Sequence, residues 1–106
     1  MNESTPPPDC LGPRALTGGC AWSVPPGSWD THFHVLGPQH RFPYAANRKY
    51  TPPDVSLEDC MRLHDALGIS RGWVVHANTH GYDNGVDLDA VARSDGRYVA
   101  VVRLWR

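Results

Sequence analysis

Trp73-Val74-Val75-His76-Ala77 is the stretch that decides the fold. A near-continuous apolar run with adjacent β-branched residues reads as a strand buried on both faces, hence a parallel one. Parallel strands need long crossover connections, usually helical. Upstream, Leu57, Cys60, Met61, His64 and Leu67 form an i, i+3, i+4, i+7 stripe, which predicts a helix over 57–67 packed on a sheet. Ser56 is its natural N-cap, with Asp59 at the third helical position as a variant capping box. Gly68 suits a left-handed terminator. Downstream, the loop from Asn78 to Gly85 leads to a second helix over about 86–93, capped by Asn84 and stopped near Gly96. Tyr98 to Leu104 is again β-branched and apolar, a third strand.

Trp29 to Leu36 is the first strand, followed by a long loop from Gly37 to Pro53 that is broken by Pro38, Pro43, Pro52 and Pro53. Loops of that length in a compact domain are uncommon and often functional. The order β-α-β-α-β predicts the α/β class, with three parallel strands and two helices. Residues 1–28 carry Pro6-Pro7-Pro8, Gly18-Gly19 and Pro25-Pro26-Gly27, and are expected to be a disordered Pro/Gly-rich arm before an ordered domain over 29–106.

A chain of 106 residues is one domain at most. With 10 basic and 11 acidic residues, its net charge of −1 gives no footprint for nucleic acid or an anionic membrane. There is no apolar run of about 18 residues. Met1 to Pro8 lacks a basic n-region and an apolar h-region, so no secretory signal is expected there. Cys10, Cys20 and Cys60 are odd in number and widely spaced, which favours free thiols in a reducing cytoplasm over a Cys10–Cys20 disulfide. The chain has no G-x-S-x-G, no glycine-rich phosphate loop and no zinc-ribbon spacing.

The chemistry sits in Asp30-Thr31-His32-Phe33-His34. Side chains alternate along a strand, so Asp30, His32 and His34 are expected on one face, the two imidazoles roughly 6–7 Å apart. Two such rings can grip a cation at about 2.0–2.1 Å each. The motif lies at the carboxyl end of the strand, where parallel sheets bind ligands. His76, Asn78 and His80 share parity at the end of the second strand and are expected beside the first pair. Arg48, Lys49 and Tyr50 lie in the long loop, where basic groups and a phenol over a pocket mouth would suit a carboxylate-bearing substrate. The ordinary reading of Arg48 and Lys49 is solvated charge. His40 reads as a loop residue, and His64 as part of the packed stripe.

Taken together, Asp30-Thr31-His32-Phe33-His34-Val35, Arg48-Lys49-Tyr50-Thr51-Pro52-Pro53 and Asn78-Thr79-His80-Gly81-Tyr82-Asp83-Asn84 resemble the start of an amidohydrolase-related (amidohydrolase 2) protein. The branch is that of the 2-pyrone-4,6-dicarboxylate lactonase-like hydrolases, and the resemblance covers about residues 29–104. It implies that the three strands are the N-terminal part of a (β/α)8 TIM barrel. It implies hydrolysis of a lactone or related carbonyl ester of a small, carboxylated substrate. By resemblance, His32 and His34 are catalytic. They bind one divalent metal ion (zinc or similar) or, in a metal-independent branch, polarise the scissile carbonyl. Tyr50, Asn78 and His80 are the implied substrate-binding residues.

A complete barrel takes about 250 residues, and the later histidines, the general-base aspartate and the substrate-clamping arginines of such proteins would lie beyond Arg106. The expectation is therefore a truncated chain, inactive alone, or one part of a split hydrolase that needs a second chain. A small metal-binding module on His32 and His34 is the third reading. Right-handed crossovers place both helices on one side of the sheet, so the histidine face should be uncovered. Self-association through that face and the strand edges is then expected.

Overall fold

Residues 6–18, 21 and 23–105 are described by the computed structural model. Gly19, Cys20 and Trp22 of the arm lie outside that set. The elements run β1 (Trp29–Phe33), α1 (Leu57–Leu67), β2 (Arg71–Val75), a 3-10 turn (Asn78–His80), α2 (Gly85–Arg93) and β3 (Tyr98–Val101). Three strands in the order β1-β2-β3 pair in parallel. This is the βαβαβ unit that the pattern predicts.

The helix ends follow from their caps. The Ser56 hydroxyl accepts the Asp59 N–H at 3.0 Å, and the Asp59 carboxylate accepts the Ser56 N–H at 3.1 Å. Both orphan donors are thereby satisfied. Gly68 ends α1 at φ 76°, where a β-carbon would be strained. Asn84 occupies the cap position of α2 but makes no capping bond with its side chain. Its amide reaches instead to the backbone of Arg103, donating to the carbonyl at 2.8 Å and accepting the N–H at 3.0 Å. Asp83 supplies the missing acceptor, taking the Gly85 N–H at 2.8 Å.

All three strands are shorter at their carboxyl ends than the apolar runs suggest. β1 stops at Phe33 because Leu36 turns away to bridge Val55, exchanging bonds of 2.9 and 2.8 Å. The core holds Val35, Leu57, Cys60, Val74, Val86, Ala90 and Tyr98, drawn from both helices and one face of the sheet. On the other face Trp73, Val99 and Val101 are each more than 40% exposed. β2 is thus covered on one side only, contrary to its reading as a doubly buried strand. Its apolar open side fits a sheet whose two crossovers both fall on the same face. In the arm, Pro8 and Cys10 pair with Thr51 in a short parallel bridge, with bonds of 2.7 and 2.8 Å. Leu16 is exposed. No helix among the described residues is long and apolar enough to cross a membrane.

Candidate active site

The first strand does not alternate as a plain strand would. Asp30 pairs with Gly72 and Phe33 with Val74, so three steps on β1 oppose two on β2. The extra residue makes a bulge. Asp30 and Phe33 consequently share the helix side, while His32 and His34 face the open side. Asp30 therefore does not stand beside the two histidines, as strict alternation would have it. The bulge needs Gly72, since a β-carbon there would fall 2.7 Å from the Asp30 carbonyl oxygen and 2.8 Å from the Phe33 ring.

Asp30 serves the histidines from behind. One carboxylate oxygen accepts the His32 backbone N–H at 3.0 Å, which pins the bulge. The other accepts from Nε2 of His64 at 2.9 Å. With Nε2 donating, Nδ1 of the neutral His64 ring accepts the Tyr98 hydroxyl proton at 2.7 Å. His64 is buried on α1, so the relay ties helix, bulge and β3 together. Phe33 stacks edge-on against both His64 and Tyr98. Burial pushes the Tyr98 hydroxyl above its ordinary pKa.

On the open side lies a cavity of about 670 Å³. His32, His34, Tyr50 and Asn78 all line it. The rings of His32 and His34 stand edge to face, 5.3 Å apart between centroids. Nδ1 of His34 lies 2.7 Å from the Val75 carbonyl oxygen, which can only accept. Nδ1 therefore carries the proton, and Nε2 of the neutral ring offers a lone pair. A backbone carbonyl fixing one imidazole nitrogen is the usual support for a histidine that binds a metal through the other. Among the described residues, however, no group of three or more His, Cys, Asp or Glu side chains is placed to hold a metal ion. His32 and His34 offer two nitrogens only.

The cavity wall carries Arg48, Lys49 and Arg103 and no described Asp or Glu. Arg48 and Lys49 thus belong to the site wall, although solvated charge is their ordinary reading. Arg48 is held by Thr51 Oγ1 at 3.1 Å and the Ala45 carbonyl at 3.0 Å. Arg103 was not legible as a site residue. The available signal was an arginine two positions past an apolar strand, at the sheet end where ligands bind.

His76 and His80 part company. β2 ends at Val75 and residues 78–80 coil into a 3-10 turn, so the expected parity of 76, 78 and 80 is lost. His76 borders the cavity, yet both its nitrogens are engaged, with Asp87 at 2.7 Å and the Gly81 carbonyl at 2.6 Å. Burial raises the Asp87 carboxyl above the ordinary range, while the His76 bond opposes this. His80 is not on the cavity surface, against its expected place among the substrate-binding residues. It is 3% exposed, takes the Gly37 N–H on Nε2 at 3.3 Å and donates from Nδ1 to the Pro43 carbonyl at 3.2 Å. Burial lowers its pKa, so it stays a neutral loop tether. Burial also pushes the Cys60 thiol up to about 11, which removes it as a nucleophile.

The profile of the amidohydrolase family matches residues 29–105, which include the bulged strand, both helices and the cavity wall. The chain belongs to the amidohydrolase family. Relatives of this amidohydrolase chain include 4-sulfomuconolactone hydrolases. That of Hydrogenophaga intermedia is 55% identical over 92% of the chain and 32% of the relative. That of Rhizobium radiobacter is 52% identical over 91% and 32%. A 2-pyrone-4,6-dicarboxylate hydrolase of Comamonas testosteroni is 45% identical over 77% of the chain and 28% of the relative. An Agrobacterium tumefaciens crystal structure in the apo form superposes with a TM-score of 0.69 at 34% identity, over 77% of this chain and 30% of that one. A probable 2-pyrone-4,6-dicarboxylic acid hydrolase of Acinetobacter baumannii shares the fold, with a TM-score of 0.67 at 21% identity over 74% and 29%. The amidohydrolase chain spans about a third of the length of the relatives it matches. Three parallel strands with two helices, matching about a third of each relative, are what the N-terminal part of a (β/α)8 barrel contains.

Proposed function

We propose that this chain carries the first-strand half of a lactone-hydrolysing site, for a small substrate bearing anionic groups. The observation behind this is the His32–His34 pair, 5.3 Å apart on the open face, in a cavity with three cations and no described carboxylate. Such a field favours an anion. Lactone hydrolysis adds water to the ring carbonyl and breaks its bond to the ring oxygen. Negative charge develops on the carbonyl oxygen in between, where positioned donors stabilise it. His32 and His34 would polarise that carbonyl through the ring nitrogens that face the cavity. The same two nitrogens would hold a divalent cation, whose chemistry is Lewis-acid polarisation of that carbonyl. Tyr50 and Asn78 would orient the ring. The relatives named as lactone hydrolases support the reaction class.

A second reading concerns the chain by itself. The cavity offers no described carboxylate to take the proton of the attacking water. We infer that residues 29–105 by themselves bind without turnover, and that the remaining strands of a barrel complete the cycle. Free thiols, with Cys60 reduced and buried, suit a cytoplasmic setting.

A chimera tests the proposal: this chain replaces the corresponding third of the Hydrogenophaga intermedia relative, and ring opening of the relative's lactone is followed by absorbance. Hydrolysis is expected, and loss with either His32→Ala or His34→Ala. A chimera that retains full activity without both histidines would overturn the assignment.

A further inference from the structure

We propose that Arg103, just past the end of β3, forms an anion subsite of this cavity and receives the charged substituent of the lactone, a carboxylate or a sulfonate. The proposal rests on the reading that the cavity takes an anionic lactone, and names the residue that selects for the charge.

Four arginines pair with acids, two line the cavity, and Arg71, which lies over the Trp29 ring and donates to the Gly96 carbonyl, does neither. Arg41 pairs with Asp89, Arg62 with Asp59, Arg93 with Glu58 and Asp89, and Arg97 with Asp65. These cations are neutralised by acids on the chain itself. Arg48 and Arg103, the two that line the cavity, have no carboxylate partner among the described residues. A cation without a counter-charge on a cavity wall is available to a ligand.

Arg103 is also held in advance. Its backbone is clamped on both sides by the single amide of Asn84, at 2.8 and 3.0 Å. Its guanidinium lies over the Tyr82 ring, 3.9 Å from the centroid. Nη2 donates to the Tyr82 hydroxyl at 3.1 Å, and Nη1 reaches the Gly81 carbonyl at 3.5 Å. Tyr82 is in turn braced edge-on by Trp105, with centroids 5.1 Å apart. These contacts use at most one hydrogen on each terminal nitrogen. Nε–H and a second hydrogen on each terminus remain, enough for a forked contact to an oxyanion. Ordering the side chain before binding removes part of the entropy cost of capture. The cap position of α2 makes no capping bond of its own, and its amide instead fixes the backbone from which the Arg103 side chain projects.

The test uses the full 106-residue chain and NMR titration. The probes are 2-pyrone-4,6-dicarboxylate, a sulfonated muconolactone and neutral 2-pyrone. In the wild type, the Arg103 Nε–H signal should shift with the anionic probes and stay still with neutral 2-pyrone. The Arg103→Gln variant should bind the anionic probes about tenfold to a hundredfold more weakly, the range of a hydrogen bond to a charged group. Its affinity for neutral 2-pyrone should be unchanged. Arg103→Lys should recover part of the loss, as a point charge without the fork. Whichever anionic probe loses more identifies the group that the subsite prefers. If Arg103→Gln does not fold, the Nε–H shift and the Arg103→Lys affinities decide alone. Wild-type chain that shifts His32 and His34 with the dicarboxylate, while Arg103 stays silent and its variants bind equally, overturns the subsite and leaves the lactone reading standing. No response of His32 and His34 to any lactone overturns both.

Discussion

Replacing His64 by leucine isolates the relay behind the histidine pair. His64 is 1% exposed and engages both ring nitrogens, with Asp30 at 2.9 Å and Tyr98 at 2.7 Å. Leucine keeps apolar contact with Phe33 and removes both bonds. A hydrogen bond to a charged group contributes about 1.5–3 kcal/mol, and a buried hydroxyl left alone costs about 1–3 kcal/mol. The Asp30 side chain is 29% exposed, so water returns part of its lost bond. The lower ends of both ranges therefore apply, and the expected destabilisation is about 2–3 kcal/mol. At a urea dependence of about 1–3 kcal/mol per molar, the unfolding midpoint should fall by about 0.7–3 M. The assay is equilibrium urea unfolding followed by tryptophan fluorescence and far-UV circular dichroism. Tyr98→Phe supplies the second arm, because it removes the orphaned hydroxyl. It should cost stability in the wild type and none in the His64→Leu background, a coupling of about 1 kcal/mol or more. An unchanged midpoint in His64→Leu, or an equal cost of Tyr98→Phe in both backgrounds, would refute the relay.

Gly72→Ala should destabilise by about 1–3 kcal/mol, since the clash is with the Asp30 backbone and cannot be relieved by a rotamer change. It should also lengthen the His32–His34 ring contact in NOE spectra; a wild-type midpoint and contact would contradict the bulge. His80 gives a pH dependence. Burial sets its folded pKa below the ordinary 6.5, so on acidification the unfolded chain takes up the proton first. Its contribution is present above pH 6.5 and is lost as pH falls through the lower folded value. Urea midpoints at descending pH should thus drop more for wild type than for His80→Gln, and parallel curves would count against the neutral tether. Zinc titration watched by NMR should shift the His32 and His34 ring signals first and leave His64 and His76, whose nitrogens are engaged, unmoved; zinc that addresses His76 first would be the contrary result. Light scattering should show a mass that rises with concentration, through the open sheet face, and a concentration-independent monomer would exclude that association.

Much of the architecture was legible in the sequence because it rests on local signals. The Ser56–Asp59 box and Gly68 set α1 without reference to anything distant, and the β-branched runs at 73–75 and 98–101 marked two strands. That His32 and His34 share one face was legible for the same reason. What was hidden depends on contacts across the chain. The bulge that turns Asp30 away from His32 is imposed by Gly72, some forty residues on, so no reading of alternation within β1 could show it. His80 was misplaced because the 3-10 turn breaks the parity of β2. Asn84 looked like a cap, since nothing local reveals that its amide is needed by Arg103. Arg48 and Lys49 carry the signature of any solvated loop, and only the closing of that loop over the open face makes them a wall.

The order β1-β2-β3 follows the order of synthesis. A ribosome releases the chain N-terminus first, so β1 emerges before β2 and β2 before β3. His34 acquires its orientation when the Val75 carbonyl arrives, 41 residues later. Arg103 comes last, after Asn84 is already in place to receive it. The histidines thus leave the ribosome before the cation does. Throughout that interval the apolar side of the sheet is the surface that a nascent polypeptide must shield from its neighbours.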